Sequence, residues 1–440
     1  MPDFIVMALS VTVVLGIMVL VHEWGHFVVA KAFGVRVEVF SIGFGTRLWG
    51  RKRGDTDYRI SALPLGGYVK MAGDNPLEDR KGDPDEFLSR PRWQRALIAV
   101  AGPAMNVILS VLLIAGVYVR GSNQPAYLGR AMVLVGVMEN STAQKAGLAA
   151  GDHIVAVNGK TNPTWEQARM ELMTTLPGRT VSVTVEREGQ QNGQQSTFEL
   201  PAGPYPADVF GYPADQVIVG AISPGMPAER SGLRAGDRIV SINGEPISNA
   251  AELPSLVQRS EGKSLMLEVD RNGRQLSFEI SPEKIGAANG TTRWQIGVMP
   301  AGEMVERRLS VGAALVQSVA LNSLLARQIS FVVVELFRGN ISLRQLEGPL
   351  GIARESGRAA RQGAAELLSL MAVIGMNLAV LNLLPIPPLD GGHILFLFIE
   401  SVMRRDLSVR IKERFVTASM VFLLLVFAIV MYNDVLRMIR

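Results

Sequence analysis

The sequence predicts a polytopic α-helical membrane protein with four transmembrane helices, two tandem β-rich domains outside the membrane, and further β elements associated with the membrane. Three observations carry this. Long apolar stretches are segregated from a polar middle, although the 440 residues are 48% hydrophobic and only 19% charged overall. A repeat of about 80 residues fills that middle. Lys and Arg cluster in two of the connecting loops.

Four stretches reach the roughly 20 residues needed to span a bilayer, at 4–33, 97–119, 367–384 and 415–431. The first has an acidic flank and no small-residue cleavage pattern after it, so it reads as a retained helix rather than a signal peptide. A fifth stretch, 311–336, carries Gln317, Asn322 and Arg327 along one helical face and reads as an amphipathic interfacial helix. "RKR" at 51–53 and the basic residues at 404–414 assign both of those loops to the cytoplasm. The N-terminus and the segment between the second and third spans then face outward. The chain divides accordingly into a first helix (1–33), a cytoplasmic loop (34–95), a second helix (96–119), β domains at 127–214 and 215–300, an outward region with the amphipathic helix (301–362), a third helix with the segment after it (363–398), a loop (399–414) and a fourth helix (415–433).

The repeat aligns "VGVMENSTAQKAGLAAGDHIVAVNG" (135–159) with "VGAISPGMPAERSGLRAGDRIVSING" (219–244). Each copy reads as strand, short helix, the turn "AGD", a strand of alternating apolar residues and the tight turn "NG". The pattern resembles bacterial PDZ domains, which implies capture of an extended peptide at a sheet edge.

Composition narrows the chemistry. With no cysteine, disulfides, thiolate metal sites and cysteine nucleophiles are excluded. The net charge of +4 is small for this length and does not suggest nucleic acid as a partner. Against that background "VLVHEWGHFVV" (19–29) stands out, with two of the four histidines and a glutamate inside an apolar helix. An ionised side chain there costs roughly 3 kcal/mol, so such residues are functional by default. His22 and His26 are one turn apart on one face and can share a Zn²⁺, with Glu23 beside them as general base. A catalytic zinc needs a third protein ligand and an open position. The candidates are Glu38, Asp390 and His393. Asp390 closes "NLLPIPPLD", where prolines 385, 387 and 388 forbid regular helix and Gly391–Gly392 allow a tight turn. Two crossings separate it from His22, so both face one side. A crossing by 311–336 would put them on opposite sides.

"HEWGH" in the first span, "LDGGH" after the third and the paired PDZ-like repeats between the second and third resemble the site-2 protease family over essentially the whole chain. The resemblance implies His22, His26 and Asp390 as zinc ligands and Glu23 as the catalytic glutamate. It further implies substrate-seating roles for Asn382, Pro385 and Pro387, with Asn377 one turn or so earlier. "SIGFG", with Gly43 and Gly45, and "RISALPLGGYVKM", with Leu65, Gly66 and Gly67, resemble the family's membrane-dipping β elements, the second reading as strand–turn–strand. "EGPLGIA" (347–353) also looks like family sequence, without an evident role.

The implied activity is zinc-dependent hydrolysis of transmembrane segments of single-pass proteins in the bacterial inner membrane. Anti-sigma factors of the envelope-stress response and remnant signal peptides are the implied substrates. The active site is expected near the cytoplasmic face, and the periplasmic PDZ pair is expected to limit substrate access. Two other readings use the same residues. One is a non-catalytic PDZ scaffold with a structural metal. The other is a transporter built on intramembrane ionisable groups, a class that usually shows repeated, broken helices.

Overall fold

The computed structural model describes residues 3–74, 82–175, 179–187, 195–203, 206–286, 292–339 and 348–439. It divides into one unit of residues 1–120 with 309–440, and a second of residues 121–308.

The first unit is built on α1 (Asp3–Ala32) and α2 (Arg92–Arg120), with the long strands β1 (Val37–Arg53) and β2 (Thr56–Met71) between them. After the second unit come α3 (Val311–Phe337), α4 (Pro349–Gln362), α5 (Ala364–Asn382), α6 (Asp390–Met403) and α7 (Val409–Ile439). Among the described residues, α1, α2, α3, α5 and α7 are long and apolar enough to cross a membrane. The expected set of four therefore gains α3 as a fifth candidate by length and composition.

The polar stripe of α3 is where expectation and structure part. Gln317, Ser318 and Asn322 are buried, while Val316, Val319, Phe331 and Phe337 are exposed. Ser318 Oγ donates to the Val111 carbonyl of α2 at 2.6 Å. Gln317 and Asn322 of the expected stripe thus face protein, whereas Arg327 is only partly buried and donates to the Ser323 carbonyl of its own helix. Periodicity shows that polar groups share a face, not what that face touches.

Helices α1 and α2 run antiparallel, with Gly25 against Ala101 and Met18 at the level of Ser110, both at Gly375 of α5. Val14 and Met18 of α1 share a core with Met371 of α5, so α1 and α5 run parallel. The Leu309 amide bonds the Tyr118 carbonyl at the end of α2, and Gly357 of α4 abuts Met7 near the start of α1. The segment from 309 to 363 therefore begins and ends toward the same end of α1. The "GPLG" stretch also finds a role. The Asp434 carboxylate of α7 accepts hydrogen bonds from the Gly348, Leu350 and Gly351 amides, satisfying donors that the first turn of α4 leaves unpaired. Glu347 lies outside the described residues.

Strands β1 and β2 wrap around each other. Phe40 faces both Tyr58 and Val69, and Ile42 faces both Ile60 and Gly67. Residues 37–42 are thus central, and β2 crosses from one side of them to the other between Ile60 and Gly67, leaving 67–71 outermost. This crossing replaces the expected hairpin turn. Gly43 (φ 88°) sits at it, where a Cβ would fall 2.6 Å from the Leu63 carbonyl oxygen.

In the second unit, β3 (Asp152–Val157), β4 (Thr180–Arg187) and β5 (Gln195–Pro201) form one antiparallel sheet. The strands β6 (Val217–Ile222), β7 (Arg238–Ile242), β8 (Leu265–Arg271), β9 (Arg274–Ile280) and β10 (Val298–Ala301) form another, in the order β9-β8-β7-β6-β10. Each half has its own core, one around Ile154, Val183 and Phe210, the other around Val219, Ile239 and Leu267.

The repeat motif does the same work in both halves. Asp152 takes two hydrogen bonds from Arg187 (2.5 and 2.7 Å), and Asp237 takes two from Arg271 (2.6 and 2.7 Å). Each Arg also donates to a carbonyl at the end of the preceding short helix, Gly147 or Gly232. In the "NG" turns Asn158 and Asn243 have φ of 49° and 52°, and their side-chain oxygens accept from Ser182 and Met266 amides of the neighbouring strand. The sequence identity of "AGD" and "NG" is therefore structural. Burial would raise the two carboxyls, but the bonds from arginine and from the Ala149 and Arg234 amides outweigh it and hold both below the usual carboxylate value. Each is harder to protonate folded than unfolded, so its stabilisation is complete above about pH 4 and is lost as the pH falls below that. Hydrogen exchange of the β4 and β8 amides, corrected for intrinsic rate, should show protection dropping over that acid range. Asp152→Asn should remove the pH dependence in β4 alone.

Candidate metal centre

The three donor residues come from two helices, α1 and α6. His22 and His26 project from one face of α1, both buried, with their ring planes 81° apart. Asp390 opens α6, so its carboxylate stands at a helix N-terminus. His22 Nε2 lies 3.1 Å from Asp390 Oδ2, His26 Nε2 lies 3.4 Å from Asp390 Oδ1, and the two Nε2 atoms are 3.2 Å apart. Among the described residues these three are the group able to hold a metal ion. Glu38 instead pairs with Lys70, and His393 is exposed on α6.

Each part of this geometry has a local cause. The helix period puts His22 beside His26. The Ile98 carbonyl of α2 lies 2.7 Å from His26 Nδ1, which takes that nitrogen and leaves Nε2 for the centre. Helix α2 comes this close because position 102 is glycine, where a Cβ would overlap His26 Nε2 and fall 2.7 Å from His22 Nε2. Gly391 and Gly392 form the first turn of α6 rather than the expected tight turn. They are needed because a Cβ at 391 would overlap the Leu383 and Leu384 carbonyls and one at 392 the Pro387 nitrogen.

Around the cluster, Glu23 Oε2 accepts from the Val69 amide of β2 at 3.0 Å, and Gly67 brings the strand within van der Waals reach of the Glu23 side chain. Asn382, the last residue of α5, holds Nδ2 3.3 Å from His22 Nε2. Of the other residues singled out by sequence, Pro387 is buried against Gly392, and Pro385 is exposed in the same connection. Asn377 turns its amide back onto the Val373 carbonyl of its own helix. Gly43 shapes the β1–β2 crossing, Gly45 has open space around it, and Gly66 packs on Phe44. The backbone of Leu65 lies in β2, and its side chain is outside the described residues. Sequence reasoning passed over Gly102, Ile98 and Asn106. Asn106 is fully buried, with Nδ2 3.3 Å from His22 Nδ1. As a polar residue inside an apolar span it carried the same signal that singled out His22.

The donor set fits zinc. A tetrahedral centre with bonds of about 2.0–2.1 Å has ligand–ligand edges of about 3.3 Å; the two Nε2 atoms are 3.2 Å apart, and each has one oxygen of the Asp390 carboxylate at 3.1 or 3.4 Å. Three protein donors leave a fourth position for water or substrate. Two histidines and a carboxylate, with a second carboxylate held alongside in a bundle of membrane-spanning length, define a membrane-embedded metallopeptidase. The chain belongs to peptidase family M50, whose profile matches residues 10–426. It is 33% identical to the regulator of sigma-E protease RseP of Escherichia coli (strain K12), covering 98% of each chain. It is 32% identical to "Putative zinc metalloprotease NMA0084" of Neisseria meningitidis serogroup A, covering 96% of this chain and 97% of that one. A Vibrio cholerae protein named as a zinc metalloprotease in the same terms is 30% identical over the full length of both. The protein is thus a zinc-dependent metalloendopeptidase and an integral membrane protein, and the scaffold and transporter readings give way.

Gly102→Ala should disable the centre without unfolding the helices. Zinc content should fall, and cleavage should drop by about 10²-fold or more, since a displacement of about 1 Å costs that much in rate, while far-UV circular dichroism stays at the wild-type value.

Proposed function

We propose that the protein cleaves single-pass membrane proteins within their transmembrane segments, with His22, His26 and Asp390 as zinc ligands and Glu23 as general base. The observation that carries this is the convergence of the two Nε2 atoms and the Asp390 carboxylate at 3.1–3.4 Å, with Glu23 tethered to an outer strand beside them. Zinc bound there supplies Lewis acidity, polarising a peptide carbonyl and easing ionisation of water.

The remaining steps belong to the chain. Glu23 Oε2 is held by the Val69 amide, so Oε1 is the oxygen that takes a proton from the attacking water and returns it to the leaving amine. The Asn382 amide, facing the same space, is the donor for substrate backbone or a developing oxyanion. A helical substrate must first unwind to expose its amides. The outer strand of β2 supports the pairing role assigned to Leu65, Gly66 and Gly67. Val69 turns its N–H away from β1 toward Glu23, and backbone groups alternate along a strand, so Gly67 directs its own to the same side.

The basic loops support an inner-membrane orientation with the centre toward the cytoplasm and unit 121–308 outside. Segment 309–363, beginning and ending toward one end of α1, supports the four-crossing topology. The repeated halves of that unit are read as tandem PDZ domains that limit access to substrates already trimmed outside. Anti-sigma factors are the substrates this reading favours, with remnant signal peptides as a second class, because the E. coli relative is named "Regulator of sigma-E protease RseP", which points to control of a sigma factor.

A cleavage assay in detergent tests the proposal. Wild-type and Glu23→Gln proteins are incubated with a tagged single-span substrate lacking its outer domain, and zinc is measured in both. Wild type should cleave, and Glu23→Gln should cleave about 10²–10⁴-fold more slowly with equal zinc. Equal cleavage by both would remove Glu23 from the mechanism.

A further inference from the structure

We propose that Asn106 is a positioning residue, whose side-chain oxygen accepts a hydrogen bond from His22 Nδ1–H and so fixes the tautomer that presents Nε2 to zinc. This rests on the assignment of His22 as a ligand.

A neutral imidazole that ligates through one nitrogen carries its proton on the other, and that N–H needs an acceptor. For His26 the acceptor is the Ile98 carbonyl at 2.7 Å from Nδ1. For His22 the neighbour of Nδ1 is the Asn106 amide, at 3.3 Å. With Nδ2 toward His22, two N–H groups would face each other, while Asn106 Oδ1 is buried without a partner. Rotating the amide by 180° exchanges the two atoms without changing its shape. Oδ1 then accepts from Nδ1–H, and the orphaned oxygen gains its bond.

Placement on α2 supports the same role. Gly102 and Asn106 are one turn apart and face the histidines together, the first by making room and the second by reaching Nδ1. The Ser110 hydroxyl donates to the Asn106 carbonyl a further turn along. Asn106 has no exposed surface, so bulk water does not reach its side chain. An unpaired acceptor at this depth is costly, and the pairing with His22 removes that cost for Oδ1.

Zinc affinity of the full chain in detergent, measured by competition with a chromogenic chelator, tests this without reference to turnover. Asn106→Leu, similar in volume but without an acceptor, should bind zinc about 10–100-fold more weakly. Asn106→Asp, which keeps acceptors and cannot donate, should stay within about threefold of wild type. Leucine binding as wild type does, or aspartate as weak as leucine, would overturn the proposal. The second result would mean that Asn106 acts as a donor or a spacer. [15N]Histidine spectra of the wild-type protein give a readout independent of either variant's folding. The chain has only four histidines, and His22→Ala identifies the signal. Protonated Nδ1 at His22 is expected, and protonated Nε2 would overturn the role. His22→Ala that retains wild-type zinc affinity would instead overturn the ligand assignment itself. Loss of zinc in His22→Ala beside normal affinity in Asn106→Leu would overturn only the role of Asn106.

Discussion

The close contact of α1 and α2 is the constraint on which the rest depends. Two imidazoles on adjacent turns can direct Nε2 at one point only if the neighbouring helix leaves that volume empty. It does so at Gly102, and Gly25 of α1 makes the reciprocal concession, where a Cβ would overlap the Ala101 carbonyl. Small residues let backbones approach in a membrane, where lipid is as apolar as leucine and burial alone does not drive helices together. Here the approach also brings the Ile98 carbonyl and the Asn106 amide against the two rings. One pair of glycines thus sets both the room for the centre and the contacts that orient it.

The same accounting of polar groups explains how the later helices are held. In hydrocarbon an unpaired N–H or C=O costs several kcal/mol, and among the described residues several helix ends and connections are held by a specific partner. The first turn of α4 is capped by Asp434 from α7. The α5–α6 connection packs onto Gly391 and Gly392. Ser318 of α3 donates to a carbonyl of α2. Buried Glu400 of α6 meets Lys412 at 2.6 Å and accepts from the Leu407 amide at 3.1 Å, fixing the turn into α7. Asp390 is delivered to the histidines by a helix whose two ends are both tied down.

What could be read from the sequence follows from this physics. The H-E-x-x-H spacing encodes its own geometry, because both histidines lie on one helix and the period places them. The paired "AGD" and "NG" motifs were legible for the same reason, since a turn and its cap are local. Asn106 was legible only as a polar residue in an apolar span, because its role appears only when α1 and α2 meet. The polar stripe on α3 was found, and the partner of its polar face was misjudged. Gly391–Gly392 were read as a turn, although their need is close approach inside a helix. In each miss the residue type was informative and the tertiary neighbour was absent from the pattern.

In the proposed mechanism the tether between Glu23 and β2 would link recognition to chemistry. Unwinding one turn of a substrate helix in the bilayer exposes several amide groups, each costing several kcal/mol if left bare. An unpaired strand edge is the structural element that satisfies them all in register. That edge is the one whose Val69 amide fixes the carboxylate oxygen of Glu23. A peptide seated on it is therefore referenced to Glu23 by a single strand rather than through the packing of separate helices. Under the proposed mechanism, pairing at Gly67 would stabilise the unwound segment and bring its carbonyls to Glu23 in one step, so sequences that unwind easily would be favoured on both counts.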